Sequence, residues 1–455
     1  MAAVIIKFKK FERSVAKAIL EEISRAGELV GSWWLTVGIL IIIGWILYLG
    51  LPVITEFYCI LTLSVVISMV ITSPIATALG RYINDQVYRS NYHQIVEALT
   101  GASTITIVLN FIVSFILIFL FSKIFFNLKV LFCALTVSLS ILWLSSNTMS
   151  VLEKERIALL GYGIGALIAL FFYFLFWAFC DKTKFYLSFL IIDFIIFSCI
   201  TSIIHYTYIY RGLSSGPVFP YFNFFSKKYF FETLASFFIT LGIWIDKIVF
   251  WFHPSTAHKI DPILRYSFYD YPFFIAFTCA SFAQFLIFRN YKKLREIYKN
   301  YTDALRYNYS FSYLYLAKMA FIQEWRQSIY RLIYIYGSFI LIILFLIISG
   351  KIVLPWKNPF IFHYFLIGTL FFILFLFNSV ILEYFQKFGC FFICSVLFCL
   401  LNFILSLLSI NKDKIFWGTG FLGSAIIAGI FSLILVSRLL SRIEYESFKK
   451  VAIQF

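Results

Sequence analysis

Charge is scarce in this chain. Lys, Arg, Asp and Glu make up only 13% of its 455 residues, while 62% are hydrophobic and mean hydropathy is +0.91. An average soluble domain carries about 25% charged residues. A fold this poor in charge cannot cover its surface in water, and large exposed apolar patches drive association. A bilayer removes the conflict by serving as the apolar solvent. Catalytic and nucleotide patterns are missing as well. There is no GxxxxGK[ST] loop, no HExxH, no CxxC and no serine elbow, and the five His gather mostly at the ends of apolar runs. These absences exclude an ATPase and argue against an enzyme; no cofactor and no metal are called for.

The net charge of +16 does not indicate nucleic acid, because Lys and Arg lie in loops between apolar runs, where they set membrane orientation. The cysteines Cys59, Cys133, Cys180, Cys199, Cys279, Cys390, Cys394 and Cys399 lie in or beside apolar runs. No His or carboxylate joins them at ligand spacing, so they read as packing residues. The 58 Phe invite a reading as a stacking pathway, but a coding bias toward Phe, Tyr, Ile and Lys accounts for most of them. Residues 1–28 are charged throughout and do not resemble a cleavable signal. Phe8, Phe11, Val15, Ile19 and Ile23 recur at helical spacing among Lys7, Lys10, Arg13, Lys17 and Glu21. That pattern is an interfacial amphipathic helix, the alternative being a solvated tail.

About twenty apolar residues cross a ~30 Å hydrocarbon core. Apolar runs at 29–51, 57–79, 100–121, 127–149, 157–179, 185–209, 230–252, 271–289, 331–350, 358–381, 388–410 and 415–437 give an all-α polytopic protein of about twelve spans. With the N-terminus placed in the cytosol, 27 Lys and Arg fall on the cytosolic side and 10 on the other, and Lys247 lies inside a span. The bias predicts both termini cytoplasmic. Turn formers Gly212, Ser214, Ser215, Gly216, Pro217 and Pro220 mark a linker at 211–229. The chain thus divides into an N-lobe at 29–210, a C-lobe at 230–437 and a tail at 438–455. Two six-helix lobes are a common transporter plan. A basic, Tyr-containing segment follows the second span of each lobe, at Gly80–Gln86 and at Arg289–Lys293. Residues 290–330 form a basic helical insert, suited either to docking a partner enzyme or to lying on an anionic leaflet.

Ionisable residues within spans are functional hypotheses by default. In the seventh span, Glu232, Ser236, Thr240, Trp244, Lys247 and Trp251 share a stripe about 120° wide. This face is suited to lining a substrate cavity, and Lys247 lies one turn from both Trp244 and Trp251, within cation–π reach. Asp246 points about 100° away from Lys247, so each is expected to find its partner on another helix, with Asp193 of the sixth span a candidate counter-ion for Lys247. The competing reading makes Asp246 and Lys247 a buried pair that fixes helix packing.

These residues also carry a family likeness. Gly242-Ile-Trp-Ile-Asp-Lys-Ile-Val-Phe-Trp251 resembles the G-[LM]-W-x-D-K-x-x-F-W pattern of the Pel exopolysaccharide exporter family, PelG. Tyr269-Asp270-Tyr271-Pro272-Phe273-Phe274-Ile275-Ala276 is similar to its Y-D-x-P-x-F-x-A segment. Thr72-Ser73-Pro74, followed by Arg81-Tyr82-Ile83-Asn84-Asp85, resembles its pattern at the end of the second span. The glycine-rich start of the family is absent, and the residues after the eighth span diverge. The resemblance implies the multidrug/oligosaccharidyl-lipid/polysaccharide (MOP) flippase superfamily. It further implies export of a cationic, partly deacetylated amino-sugar exopolysaccharide across the bacterial cytoplasmic membrane during biofilm matrix synthesis. The implied partners are a cytosolic UDP-sugar glycosyltransferase and small membrane subunits.

Three other readings stand beside this one: a lipid-linked oligosaccharide flippase of the same fold, a membrane polymerase, and a scaffold for the glycosyltransferase. The outward loop at about 253–270 holds only Asp261 and Asp270, too little for a polymerase site. A cationic polymer leaving the cytosol works against ~2.3 kcal/mol per charge per 100 mV. The polymer is therefore expected to cross neutral and to be deacetylated afterwards.

Overall fold

The computed structural model describes residues 38, 52–179, 186–254, 256, 258–267, 269–307, 309–351 and 359–445. The expected amphipathic helix at 1–28, nearly all of the first span and the end of the C-terminal tail lie outside them. Eleven α-helices are described: α1 (Pro52–Tyr88), α2 (Tyr92–Phe121), α3 (Phe126–Val151), α4 (Glu155–Phe179), α5 (Tyr186–Leu213), α6 (Phe230–Phe252), α7 (Asp270–Arg306), α8 (Phe311–Ile348), α9 (Phe360–Tyr384), α10 (Phe388–Ile410) and α11 (Thr419–Ser441). The only strands among the described residues are β1 (His258–Lys259) and β2 (Arg265–Tyr266), an antiparallel pair. Ten of the described helical segments are long and apolar enough to cross a membrane. The protein is an all-α, multi-pass membrane protein.

The chain forms two compact units. One comprises residues up to Thr233 together with His258–Tyr266; the other comprises Leu234–Ala257 and Ser267 onward. The division falls inside α6, four residues beyond the expected linker, whose irregular part covers 214–226. The units repeat one packing scheme. In the first, α3 packs on α1, α2 and α5, α1 on α2, and α4 on α5. In the second, α9 packs on α7, α8 and α11, α7 on α8, and α10 on α11. The turn ending α3 and the turn ending α9 are also alike. Glu153 and Gln386 adopt positive φ, and the next N–H reaches back five residues, Lys154 to Met149 and Lys387 to Leu382. This left-handed closure satisfies carbonyls that the helix end orphans.

With no water in the hydrocarbon core, polar groups are satisfied within the protein. Pro74 lies inside α1 and lacks the N–H that Val70 O would accept; Ser73 Oγ donates to that carbonyl at 3.3 Å. Helix α3 buries Ser138, Ser140, Ser145, Ser146 and Thr148, whose hydroxyls bond carbonyls of their own helix. Helices α4 and α5 approach through small residues. A Cβ on Gly161 would lie 2.6 Å from His205 Nε2, and one on Gly165 would lie 2.3 Å from Thr201 Oγ1. In the second unit Phe273, Phe277, Phe365, Phe372, Phe398 and Phe421 pack ring against ring, so these Phe are core.

The expected insert at 290–330 is not a separate element. Helices α7 and α8 have 37 and 38 residues, roughly 56 Å each at 1.5 Å per residue, well beyond a hydrocarbon core. The insert is the extension of both, α7 ending at Arg306 and α8 beginning at Phe311. Glu324 joins the two arms by binding Lys293 at 2.6 Å and Arg331 within α8. Lys318 pairs with Glu444 at 3.2 Å.

Candidate functional site

Helix α6 carries most of the candidate residues. Ser226 starts the preceding 3-10 turn by accepting from Lys228 N at 3.3 Å. The structure divides the expected stripe into parts. Glu232 is buried in the first turn. Ser236 and Thr240 are half-buried, and Thr240 Oγ1 donates to Ser236 O at 2.9 Å. Trp244, Lys247 and Trp251 are buried.

Glu232 belongs to the first unit, where Arg81, near the C-terminal end of α1, holds its Oε1 at 2.5 Å. The Tyr229 hydroxyl reaches Asp85 at 3.3 and 3.4 Å. Arg81 and Asp85, from the Arg-Tyr-Ile-Asn-Asp segment, thus meet the start of α6. Asp193 lies half-buried in α5 of the same unit, and its Oδ1 has no hydrogen-bond partner.

The expectation that Asp246 and Lys247 face apart is corrected. They pair directly, Lys247 Nζ to Asp246 Oδ1 at 2.6 Å, both fully buried. The counter-ion of Lys247 is therefore its neighbour and not Asp193. A four-carbon stem lets the ammonium curl back along its own helix, where it also donates to the Ile243 carbonyl. In apolar surroundings these are the acceptors within reach. Asp246 Oδ1 also accepts from Lys247 N at 2.9 Å, and Oδ2 accepts from the Tyr269 hydroxyl at 3.0 Å.

Of the expected ring contacts, the one with Trp244 is present and the one with Trp251 is not, and Phe273 lies nearer than either. Lys247 Nζ lies 3.2 Å from the centroid of Phe273, 5.7 Å from that of Trp244 and 5.8 Å from that of Phe365. Trp251 turns its indole N–H to Asp270 Oδ2 instead, at 2.7 Å, and Ser267 N adds a second bond to that oxygen at 3.2 Å. Asp270 opens α7, where a carboxylate meets the positive end of the helix dipole. Pro272 follows in the first turn, where its missing N–H costs nothing. Tyr269 stacks on Phe250 at 3.9 Å between centroids. The two motif segments, 242–251 and 269–276, are therefore one interlocked assembly within the second unit.

Three members of this assembly escape a single-helix reading. Tyr269 and Phe273 lie more than twenty residues from Asp246, and no periodicity links them to it. Asn402 of α10 donates to Gly242 O at 2.8 Å. Its signal was a lone amide in an apolar run. Gly242 is required by close approach, since a Cβ there would lie 2.7 Å from the Phe398 ring. Among the described residues no group of three or more His, Cys, Asp or Glu is placed to hold a metal ion.

The profile of the PelG family, described as "Putative exopolysaccharide Exporter (EPS-E)", matches residues 28–448. The chain belongs to this family. No curated protein shows significant sequence similarity to it. Among solved structures it is similar to a MOP superfamily transporter from Pyrococcus furiosus, with TM-score 0.54, 10% identity and coverage of 94% of this chain and 96% of that one. A MATE transporter solved in complex with MaD5 gives 0.55, 11%, 94% and 95%. The eukaryotic MATE transporter AtDTX14 gives 0.55, 12%, 92% and 96%. At these identities the likeness shows a fold, the twelve-helix MOP transporter fold. PelG membership places both sequence segments discussed above inside the matched region, and the chain is a membrane protein of an exporter family.

Proposed function

We propose that this protein moves a Pel-like amino-sugar exopolysaccharide from the cytosol across the bacterial cytoplasmic membrane for biofilm matrix, acting as a transporter and not as an enzyme. The observation that carries the reading is the family match over 28–448, joined to a MOP fold along the same length. The cytosolic excess of Lys and Arg supports an orientation with both termini inside. Its partners on this reading are a UDP-sugar glycosyltransferase in the cytosol and small membrane subunits of the same synthase, within membrane lipid.

On α6 we assign contact with the polymer to the half-buried Ser236 and Thr240. Trp244, Asp246, Lys247, Trp251, Asp270 and Pro272 hold the shape of the second unit around that face. Arg81, Asp85 and Glu232 order the other end of the helix, and Asp193 supplies a polar position in the first unit. Both carboxylates of α6, Glu232 and Asp246, already have cations of their own. They are poor partners for amines on a passing chain, which favours transit in the neutral, acetylated form.

Deleting the chain in a producing strain tests the proposal. Secreted polymer should vanish while glycosyltransferase activity in lysates persists. Loss of both activities would indicate a scaffold, and unchanged secretion would remove the export role. Supplying membrane vesicles with acetylated and deacetylated oligomers tests the form in transit, with uptake of the acetylated one expected.

A further inference from the structure

Helix α6 is unbroken from Phe230 to Phe252, yet the boundary between the two compact units falls between Thr233 and Leu234. Its first turn belongs to the first unit and its body to the second. The β1–β2 hairpin that follows α6 returns to the first unit before α7 begins.

Both first-unit segments are fastened there by specific contacts. At the start of α6, Glu232 is 3% exposed and bonded to Arg81 at 2.5 Å, and Tyr229 reaches Asp85. Just upstream, Tyr221 N donates to Glu97 O at 3.0 Å, and the Tyr221 ring lies 5.5 Å from that of Tyr82. Tyr221 sits so close to α2 that a Cβ on Gly101 would fall 2.1 Å from its carbonyl oxygen. Beyond the far end of α6, Asp261 Oδ1 accepts from Lys123 N at 3.0 Å, and the Tyr266 ring packs edge-on to Tyr58 at 6.4 Å.

From this we infer that Arg81 and Glu232 form a permanent clamp that keeps the first turn of α6 fixed to the first unit throughout the transport cycle. The charges make the clamp strong, since a buried carboxylate without its guanidinium is an uncompensated charge. The neighbouring contacts make it durable: Tyr221, Tyr229 and Gly101 hold the approach to α6 against α1 and α2 independently of the ion pair. Arg81 and Glu232 are thus positioning residues. They set where α6 starts and do not need to touch polymer. A gate would use the same ion pair oppositely, opening once in every cycle.

The inference rests on the export reading for its transport assay, and a second readout is independent of polymer. In purified full-length protein, Arg81→Gln and Glu232→Gln should each lower the melting temperature, and the swap Arg81→Glu with Glu232→Arg should recover most of the loss. In producing cells the single variants should secrete less polymer, with the swap restoring it. For the decisive step, Arg81→Cys and Glu232→Cys are placed in a cysteine-free background that still exports. They are then bridged by a short bifunctional thiosulfonate reagent that reductant cleaves. A permanent clamp exports when bridged. Export that stops on bridging and returns on reduction overturns the proposal in favour of a gate. Failure of the swap to recover melting temperature also overturns it, whatever the polymer assay shows.

Discussion

Replacing Asp246 by Asn strands a lysine in the middle of an apolar core. Lys247 Nζ would keep the Ile243 carbonyl and the face of Phe273 but would lose its directly paired carboxylate. Removing one partner of a buried ion pair costs about 3–5 kcal/mol. That is a large share of the roughly 5–15 kcal/mol that stabilises a typical fold. Removing both charges is different. With Asp246→Asn and Lys247→Met together, no charge is buried, the thioether stem fills the lysine's path, and the Asn carbonyl still accepts from Tyr269. Such replacements are often neutral or even stabilising. The double variant should therefore be more stable than Asp246→Asn alone, with a coupling energy near the upper end of the 0.5–3 kcal/mol range for contacting residues. Denaturant titration of the purified protein, followed by tryptophan fluorescence, measures all four members of the cycle. Losses that simply add would refute the reasoning, because they would show that the two charges do not compensate each other. Secretion by the double variant separates two roles. Recovered stability with recovered export means that the pair only holds the lobe. Recovered stability without export means that the charges act on transport itself.

Other positions give sharp expectations. Gly242→Ala drives a methyl group into the Phe398 ring, and an overpacked core costs typically 1–3 kcal/mol, so it should lower thermal stability while Ile243→Ala nearby does not introduce a clash. Trp251→Phe removes a 2.7 Å donor from buried Asp270 and should cost about 1–3 kcal/mol, read in the same titration, with Asp270→Asn partly relieving it. Asn402→Leu strips the Gly242 carbonyl of its donor, and a melting temperature equal to the parent's would show that this bond contributes nothing. Ser236→Leu and Thr240→Leu, on the half-buried face, should reduce secretion with little effect on stability.

The fold class was legible because the bilayer imposes it: apolar runs of span length can only be helices. Element ends were less legible. The 290–330 segment reads as an insert because it is charged, yet α7 and α8 extend into it from either side, and Glu324 pairs with Lys293 and Arg331 across and along the arms. The contacts of the α6 residues were not legible. A helical wheel grouped Glu232 with Lys247, while the structure gives Glu232 to Arg81 and Lys247 to Asp246. A wheel fixes where Cβ atoms point, but a long side chain reaches past its neighbours to the nearest acceptor. Partners such as Tyr269 and Asn402 arrive through tertiary packing, which no local period encodes.

Those pairings bear on what crosses the membrane. A polycation moving outward would benefit from unpaired carboxylates along its route. Each of its charges would still work against ~2.3 kcal/mol per 100 mV of inside-negative potential. The two carboxylates of α6, Glu232 and Asp246, are instead held by Arg81 and Lys247, while Ser236 and Thr240 on the half-buried face are neutral hydroxyls. Hydroxyls and aromatic faces suit an acetylated sugar, whose amide and hydroxyl groups exchange hydrogen bonds with water and protein on similar terms. If the chain crosses neutral, dissipating the membrane potential with an ionophore should leave the initial rate of secretion unchanged as long as precursor supply is maintained. A rate that rises on depolarisation, as expected for a polycation released from the opposing field, would count against neutral transit and would call for acidic partners beyond the two carboxylates paired here.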